Sequence, residues 1–190
     1  PMAYEPRFYR KQMQRTGLTY FPVVYRETDL WIGVDVRSFS AELPGKVLQK
    51  VVLLRNELDA YIEKHPEFLH SLAPVPIHHP APSLAHIMGN AAALACVGPM
   101  AAVAGAFAQA AGEYLRNTLH VSEVIVENGG DIYLDTSQDA RVGIYAGNSP
   151  LSGKLALYVP QEFMPLGICT SAGTVGPSLS LGQTDATVTL

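Results

Sequence analysis

The sequence predicts an α+β domain in which a largely antiparallel sheet packs against helices rich in small residues. Three observations support this prediction: β-forming runs come first, helical patterns with many Ala and Gly residues follow, and the last third returns to β-forming runs. The chain has 190 residues, 48% of them hydrophobic and 16% charged, which suffices for a core of its own. No internal repeat or linker is evident, so residues 1–190 are predicted to form a single domain.

A β-meander is predicted over residues 7–37. The runs LTYFPVVYR and LWIGVDVRSF are rich in β-branched and aromatic residues, and they flank the short polar turn ETD. A helix is predicted next over residues 45–64, because apolar side chains recur there every three to four positions, and His65-Pro66 is expected to end it. The proline-rich run LAPVPIHHPAP that follows is predicted to be an extended connector.

Two helices rich in small residues are predicted over residues 83–96 and 100–119, with Pro99 well placed to begin the second. Residues 91–112 carry no charge and are long enough to span a bilayer. Ala and Gly contribute little to membrane transfer, so we expect a helix buried against the sheet and no membrane partner. Strands are predicted over residues 121–127, 131–134, 141–146, 154–159 and 184–190.

The composition limits the classes of partner and the compartment. The net charge of −4 and the lack of a cationic stripe argue against nucleic acid. The first 17 residues are charged and aromatic, without the apolar core of a signal peptide, so a cytoplasmic protein is expected. Cys96 and Cys169 are predicted to be buried, reduced thiols, with a disulfide as the alternative. Because TDATVTL ends the sequence within a predicted strand, we expect the natural protein to continue beyond Leu190.

The stretch EVIVENGGDIYLD, residues 123–135, contains the first candidate site. Asn128-Gly129 between alternating apolar residues is a strong hairpin signal, but Gly130 and Asp131 follow it at once. One interpretation is a turn with a bulge. The other is a backbone that must approach a ligand closely, beside a carboxylate placed to meet a metal or a hydroxyl group. The sequence leaves both open.

The second candidate segment is GICTSAGTVGPSLSLGQTD, residues 167–185, which concentrates hydroxyl groups and glycines. An ordinary surface loop and a loop that binds phosphate oxygens are equally compatible with this composition. The segment is not a P-loop, because GK[ST] is absent, and the lack of GxSxG gives little support to a serine hydrolase. We expect the turn at residues 128–131 to face residues 170–174.

The histidines suggest a metal site only weakly. His78, His79 and His86 lie close together in sequence, and His65 and His70 precede them. Adjacent histidines on an extended chain point to opposite sides, and neither HExxH nor a zinc-finger spacing occurs, so solvated loop histidines are favoured. For a hard cation the acids are better candidates. Mg²⁺ takes one or two carboxylates with waters and phosphates, which is compatible with Asp131 and Asp185.

Taken together, VENGGDIYL (126–134) and CTSAGT (169–174), preceded by MAAVAGAFAQAAGEYL, resemble the ApbE-like superfamily, whose best-known members are FAD:protein FMN transferases. The likeness covers residues 99–190, while the first half fits only in general layout. The chain looks closer to an uncharacterised, compact ApbE-like family than to the transferases. It has no histidine at the place of their Ser-His-Ile-Ile-Asp-Pro stretch. Asp185 and Thr189 have the spacing of their magnesium-binding Asp and Thr, but within a predicted strand.

The resemblance implies a protein that binds a flavin nucleotide, FAD or FMN, with Mg²⁺, and that acts on FAD as a Mg²⁺-assisted transferase or hydrolase. Its expected partners are a small-molecule nucleotide and, for transfer, an acceptor protein. A non-catalytic flavin- or nucleotide-binding protein and an enzyme acting on an unrelated small molecule are the alternatives. The site residues it implies are catalytic Asp131, Thr170 and Ser171, cofactor-binding Asn128, Gly129, Gly130, Gly173 and Thr174, and metal-binding Asp185.

Overall fold

The computed structural model describes residue 10 and residues 15–144, 153–171 and 186–189. These parts of the chain form an α+β fold, as predicted. The β-strands are β1 Leu18–Tyr25, β2 Thr28–Asp35, β3 Val124–Asn128, β4 Asp131–Asp135, β5 Ala140–Gly143, β6 Ala156–Val159, β7 Leu166–Ser171 and β8 Ala186–Thr189. The α-helices are α1 Leu43–Lys64, α2 Glu67–His70, α3 Ser83–Ala95 and α4 Val103–Glu113.

The main sheet has six strands in the order β1-β2-β3-β4-β7-β8. Every neighbouring pair in it is antiparallel, which confirms the predicted sheet type. Strands β5 and β6 form a separate antiparallel hairpin. The order places β7 beside β4 although β5 and β6 come between them in the sequence, so the two candidate segments meet in one sheet.

Strand β7 occupies the beginning of residues 167–185, for which a loop was predicted, so that prediction is wrong for residues 167–171. Ile168 pairs with Ile132 of β4 on one side and with Thr189 of β8 on the other, so β7 lies inside the sheet. Ile168 is fully buried in a small apolar cluster with Leu134 and Val159. The glycines and hydroxyl groups of this segment suggested a loop. Its alternating apolar residues become buried only because the strand pairs with segments that are distant in sequence. Residues 172–185 lie outside the described part of the chain.

The predicted first helix is confirmed as α1. Its buried side chains form one stripe facing the sheet: Leu43, Val47, Val51, Leu54, Leu58 and Tyr61. The helix ends at His65, whose backbone N–H donates to the carbonyls of Tyr61 and Ile62. Pro66 follows and disfavours helical backbone at His65. The connector predicted after it has neither helix nor strand over residues 71–82.

Helix α4 is buried against the sheet, as predicted for residues 100–119. A 3₁₀ turn, Pro99–Ala102, leads into it, and a π-helical turn, Tyr114–Thr118, extends it. It runs alongside β4: a Cβ atom on Gly112 would lie 2.2 Å from the ring of Tyr133, and Arg116 Nε donates to Asp135 Oδ2 at 2.5 Å. Small residues therefore allow the close approach of helix and strand.

Within the described ranges no single helix has the length and apolar character needed to cross a membrane. Only Ser83–Ala95 and Pro99–Thr118 taken together meet that test, and they are bent by 108° at the break between them. The side of Pro99–Thr118 that faces the sheet is occupied by protein, since Phe107, Ala111 and Leu115 are fully buried.

Candidate functional site

The turn between β3 and β4 is a two-residue loop made of Gly129 and Gly130. Asn128 pairs directly with Asp131, and the register continues along both strands without an extra residue, so there is no bulge. Gly129 has φ of +64° and Gly130 has φ of +103°. Both central residues of this tight hairpin turn need positive φ, which side chains disfavour. The second glycine is therefore required by the turn itself, and the hairpin prediction is confirmed while its bulged form is wrong.

Beneath the turn lies a buried carboxylate, that of Glu127, which is 1% exposed. Its Oε1 accepts the N–H of Gly130 at 2.9 Å, and its Oε2 accepts Arg10 Nε at 2.7 Å. Arg10 also donates to Asp29 Oδ1 at 2.7 Å. Burial alone would lower the pKa of Arg10, but these acids outweigh it and raise the pKa above its ordinary value. The network fixes the turn from below.

Asn128 ties the same turn to helix α4. Its side-chain Nδ2 donates to the carbonyl oxygen of Ala104 at 3.0 Å, and the residue is buried. This carbonyl lies at the start of α4, next to Gly105. The contact gives Asn128 a structural role that the sequence did not indicate, in addition to the cofactor contact that the resemblance implies.

Asp131 and Cys169 meet over the backbone of Gly105. The pairing of Ile132 with Ile168 places Asp131 opposite Cys169 on the neighbouring strand. A Cβ atom built on Gly105 would lie 3.5 Å from Asp131 Oδ2 and 3.8 Å from Cys169 Sγ. The carboxylate of Asp131, the thiol of Cys169 and the backbone of Gly105 thus form one compact group at this end of the sheet. The sequence singled out Asp131 as a site residue, whereas it predicted Cys169 only as a buried thiol and Gly105 only as part of a helix.

The thiol of Cys169 stays protonated at neutral pH. Burial, together with the negative charge and the hydrogen bond of Asp131, raises its pKa from the ordinary 9.0 to about 11. A thiol with that pKa is a poor nucleophile, because the thiolate is the reactive form. Chemically, Cys169 is therefore a neutral neighbour that orients the Asp131 carboxylate.

The remaining predicted site residues divide into two groups. Thr170 and Ser171 are the last two residues of β7 and pair with Thr187 and Ala186 of β8. Continuing the β4–β7 register brings the backbone of Thr170 opposite the Gly130 end of the turn. The structure thus brings Asn128, Gly129, Gly130 and Asp131 to the same end of the sheet as the end of β7. Gly173, Thr174 and Asp185 lie outside the described residues, and all the predicted roles stay predictions.

The cysteine prediction is only partly right. Both thiols are free, so the disulfide alternative is wrong. Cys169 is partly buried, but Cys96 is exposed at the end of α3, where its backbone has φ of +56°. The apolar sequence around Cys96 suggested burial. The helix ends at that residue, however, and turns its side chain outward.

Comparison with known proteins identifies relatives over most of the chain. The family described as AbpE bacteria matches residues 10–190. A UPF0280 protein of Methanocaldococcus jannaschii is 39% identical over 166 residues, covering 86% of this chain and 65% of that protein. A UPF0280 protein of Methanosphaerula palustris is 45% identical over 138 residues, covering 73% of this chain and 57% of that protein. A UPF0280 protein of Methanospirillum hungatei is 48% identical over 132 residues, covering 70% of this chain and 53% of that protein. The chain thus spans less than two thirds of the length of these curated relatives.

Proposed function

The chain belongs to the family described as AbpE bacteria, and from that premise we propose that it binds a flavin nucleotide, FAD in the first place, and cleaves its diphosphate with the help of Mg²⁺. The observation that carries the proposal is the meeting of Asp131, Cys169 and Gly105 beside the Gly129–Gly130 turn. The resemblance to FAD:protein FMN transferases implies that this turn and the segment after β7 contribute to the nucleotide site.

The backbone of the Gly129–Gly130 turn is accessible to a ligand. Gly129 is exposed, and neither glycine carries a side chain that would hold a ligand away. The N–H of Gly130 already bonds to Glu127, so the turn is fixed before a ligand arrives. A pre-formed edge loses little conformational entropy on binding, which favours affinity. These features support close approach of a planar ring or a phosphate group to the turn.

Asp131 fits the role of a single Mg²⁺ ligand. Mg²⁺ prefers oxygen ligands and takes one or two carboxylates together with waters and phosphate oxygens. Cys169, a protonated thiol beside it, does not suit such a hard cation. Asp131, with Asp185 by the resemblance, would therefore hold the ion. When bound, Mg²⁺ supplies positive charge that offsets the diphosphate as AMP leaves.

The electrostatics of the chain support a need for that cation. The net charge is −4, and the segments 128–131 and 170–174 contain no lysine or arginine. Arg10 is engaged by Glu127 and Asp29. A diphosphate beside Asp131 would meet repulsion that a divalent cation relieves. We therefore expect FAD to bind weakly in chelator and more tightly in Mg²⁺.

The experiment follows FAD fluorescence for binding and AMP release for cleavage, at several Mg²⁺ concentrations and in chelator. Asp131→Asn and Asp185→Asn should each lower the Mg²⁺-dependent rate by at least about tenfold, because a contact with a charged group contributes about 1.5–3 kcal/mol. The matched control is Asp139→Asn, because Asp139 is exposed and follows the opposite end of β4. Tight FAD binding in chelator with no AMP released at any Mg²⁺ level would leave a non-catalytic flavin-binding protein. Absence of FAD binding altogether would overturn the proposal.

A further inference from the structure

Three potential metal ligands converge where helix α1 ends. His65 caps α1, Glu67 is the first residue of α2, and His78 comes from the proline-rich connector. Glu67 Oε1 lies 3.7 Å from His65 Nδ1 and 3.6 Å from His78 Nε2. One ligand atom from each residue lies within 4.8 Å of the other two. None of these residues belongs to the site around Asp131.

Buried aromatic residues hold the backbone of this cluster in place. The hydroxyl of Tyr61 accepts the N–H of His78 at 3.0 Å. The Tyr61 ring is 4.7 Å from the ring of His65 and packs edge-on against Phe68 at 5.3 Å. Tyr61 and Phe68 are 4% and 1% exposed, whereas Glu67 and His78 are exposed and His65 is partly exposed. The connector is therefore fixed against α1 while the donor atoms remain open to solvent.

The adjacent residues His78 and His79 point to opposite sides of the connector, as predicted, but each has a partner from another part of the chain. His78 stacks on His65, with ring centroids 4.8 Å apart, while His79 turns the other way and lies 5.1 Å from His86. His78 and His79 therefore lie on different sides of the connector. The partner of His78 comes from the end of α1, which no local spacing rule indicates.

We propose that His65, Glu67 and His78 bind one divalent transition-metal ion, Zn²⁺ in the first place. Two imidazole nitrogens and one carboxylate oxygen form a ligand set that suits Zn²⁺, Ni²⁺ or Cu²⁺, whereas Mg²⁺ prefers oxygen alone. Ligand atoms around a tetrahedral Zn²⁺, at bond lengths of about 2.0–2.1 Å, lie about 3.4 Å from one another. The two distances to Glu67 are close to that value. Because the rings of His65 and His78 are stacked at 14°, metal binding requires them to rotate until both nitrogen lone pairs point to one ion.

Such an ion would fasten the connector to α1. The connector has no helix or strand over residues 71–82, and the hydrogen bond of His78 to Tyr61 already attaches it there. Three protein ligands leave a fourth position of Zn²⁺ for water or for an outside group. Binding to the folded state alone would also raise the melting temperature, by an amount that increases with the Zn²⁺ concentration.

The test is calorimetric titration of the full chain, freed of metal by chelator, with Zn²⁺. We expect one equivalent to bind and the melting temperature to rise. His78→Ala should weaken binding by at least about tenfold, as should Glu67→Gln, which keeps the shape of the side chain and removes its charge. The matched control is His79→Ala, one residue away, which should bind as the wild type does. Cys96→Ser removes the exposed thiol and should also leave binding unchanged.

Three outcomes would overturn the assignment. The first is that calorimetry detects no saturable binding of Zn²⁺ to wild-type protein that circular dichroism shows to be folded. The second is an equal loss of affinity in His79→Ala and His78→Ala. The third is Zn²⁺ binding that survives Glu67→Gln and His78→Ala but disappears in Cys96→Ser. Since FAD and Mg²⁺ take no part in the titration, its result is independent of the proposed function.

Discussion

The carboxylate of Asp131 and the thiol of Cys169 share a hydrogen bond across the neighbouring strands β4 and β7. Both groups lie against Gly105 of α4, where any larger residue would extend toward them. The contact joins the two segments that the sequence singled out, residues 123–135 and 167–185. It also gives each group a chemical consequence, because the charge on one controls the ionisation of the other.

We predict that Cys169 reacts slowly with iodoacetamide and that Asp131→Asn accelerates the reaction. With a pKa of about 11 against an ordinary 9.0, Cys169 has about 100-fold less thiolate at pH 8. Removing the Asp131 charge lowers the pKa, although burial still keeps it raised, so a several-fold gain in rate is expected. Mass spectrometry of the alkylated peptides measures the rate, with exposed Cys96 as the internal reference.

The control for this experiment is Asp139→Asn, which changes an exposed carboxylate that bonds to Tyr158 and Gln161, and it should leave the rate of Cys169 unchanged. A wild-type Cys169 that reacts as fast as Cys96 would contradict the raised pKa. An unchanged rate in Asp131→Asn would show that burial alone is responsible.

Gly105 and Gly112 form a matched pair on one helix, and we predict opposite effects of alanine at the two positions. At Gly105 the nearest atom to a new Cβ is Asp131 Oδ2 at 3.5 Å, an ordinary contact. Alanine there should stabilise the fold by up to about 1 kcal/mol through its helix propensity. At Gly112 the new Cβ would lie 2.2 Å from Tyr133 Cδ1. Overpacking should destabilise that variant by about 1–3 kcal/mol.

Urea denaturation of both variants measures these changes in the free energy of unfolding. Gly112→Ala combined with Tyr133→Leu should recover part of the loss, because the ring is the obstacle. Equal stability of the two single variants would contradict the close approach of α4 to β4.

Elements with strong local signals could be predicted from the sequence. Helix α1 follows from its apolar spacing and from the His65-Pro66 end, and α4 follows from an uncharged run of small residues after Pro99. The β3–β4 hairpin also has a local signal. Its loop, however, is Gly129–Gly130 and not the usual Asn-Gly pair, because the pairing of β3 with both of its neighbours sets the register.

Features that depend on long-range pairing could not be predicted in this way. Strand β7 gains its apolar environment from β4, and the pKa of Cys169 is raised first by burial in that environment and then by Asp131 on the neighbouring strand. The contact between His65 and His78 likewise depends on how the connector returns to α1. In each case the residues that interact are distant in sequence, so neither composition nor local spacing contains the signal.

Asp35 leads to a prediction about acid pH. Burial alone would raise its pKa, but hydrogen bonds from Ser38 and from the N–H groups of Glu123 and Ser122 lower it below the ordinary 3.8. A lowered folded-state pKa means that the carboxylate contributes stability above pH 3.8, and this contribution is lost as the pH falls through the folded value. NMR titration should show the low pKa, and Ser38→Ala should raise it. A wild-type value of 3.8 or more would refute the argument.

The last prediction concerns the buried ion pair beneath the turn, and it compares one substitution at two sites. Glu127→Gln removes the charge that Arg10 Nε meets at 2.7 Å, where the two side chains are 1% and 12% exposed. Leaving a buried charge without its partner costs about 3–5 kcal/mol, so this variant should lose stability on that scale, with the retained contact to Asp29 favouring the lower end.

The control is Glu42→Gln at the start of α1. Glu42 Oε2 lies 3.3 Å from Lys46 Nζ, and this ion pair is exposed. Surface pairs of this kind contribute only about 0–1 kcal/mol, so Glu42→Gln should be nearly neutral. Urea denaturation of both variants gives the comparison. Adding Arg10→Met to Glu127→Gln should cost less than the sum of the two single changes, because each removes the same interaction. If Glu127→Gln were as mild as Glu42→Gln, the network would not be what fixes the β3–β4 turn. The position of Asp131 beside Cys169 would then have to depend on Asn128 and its bond to Ala104.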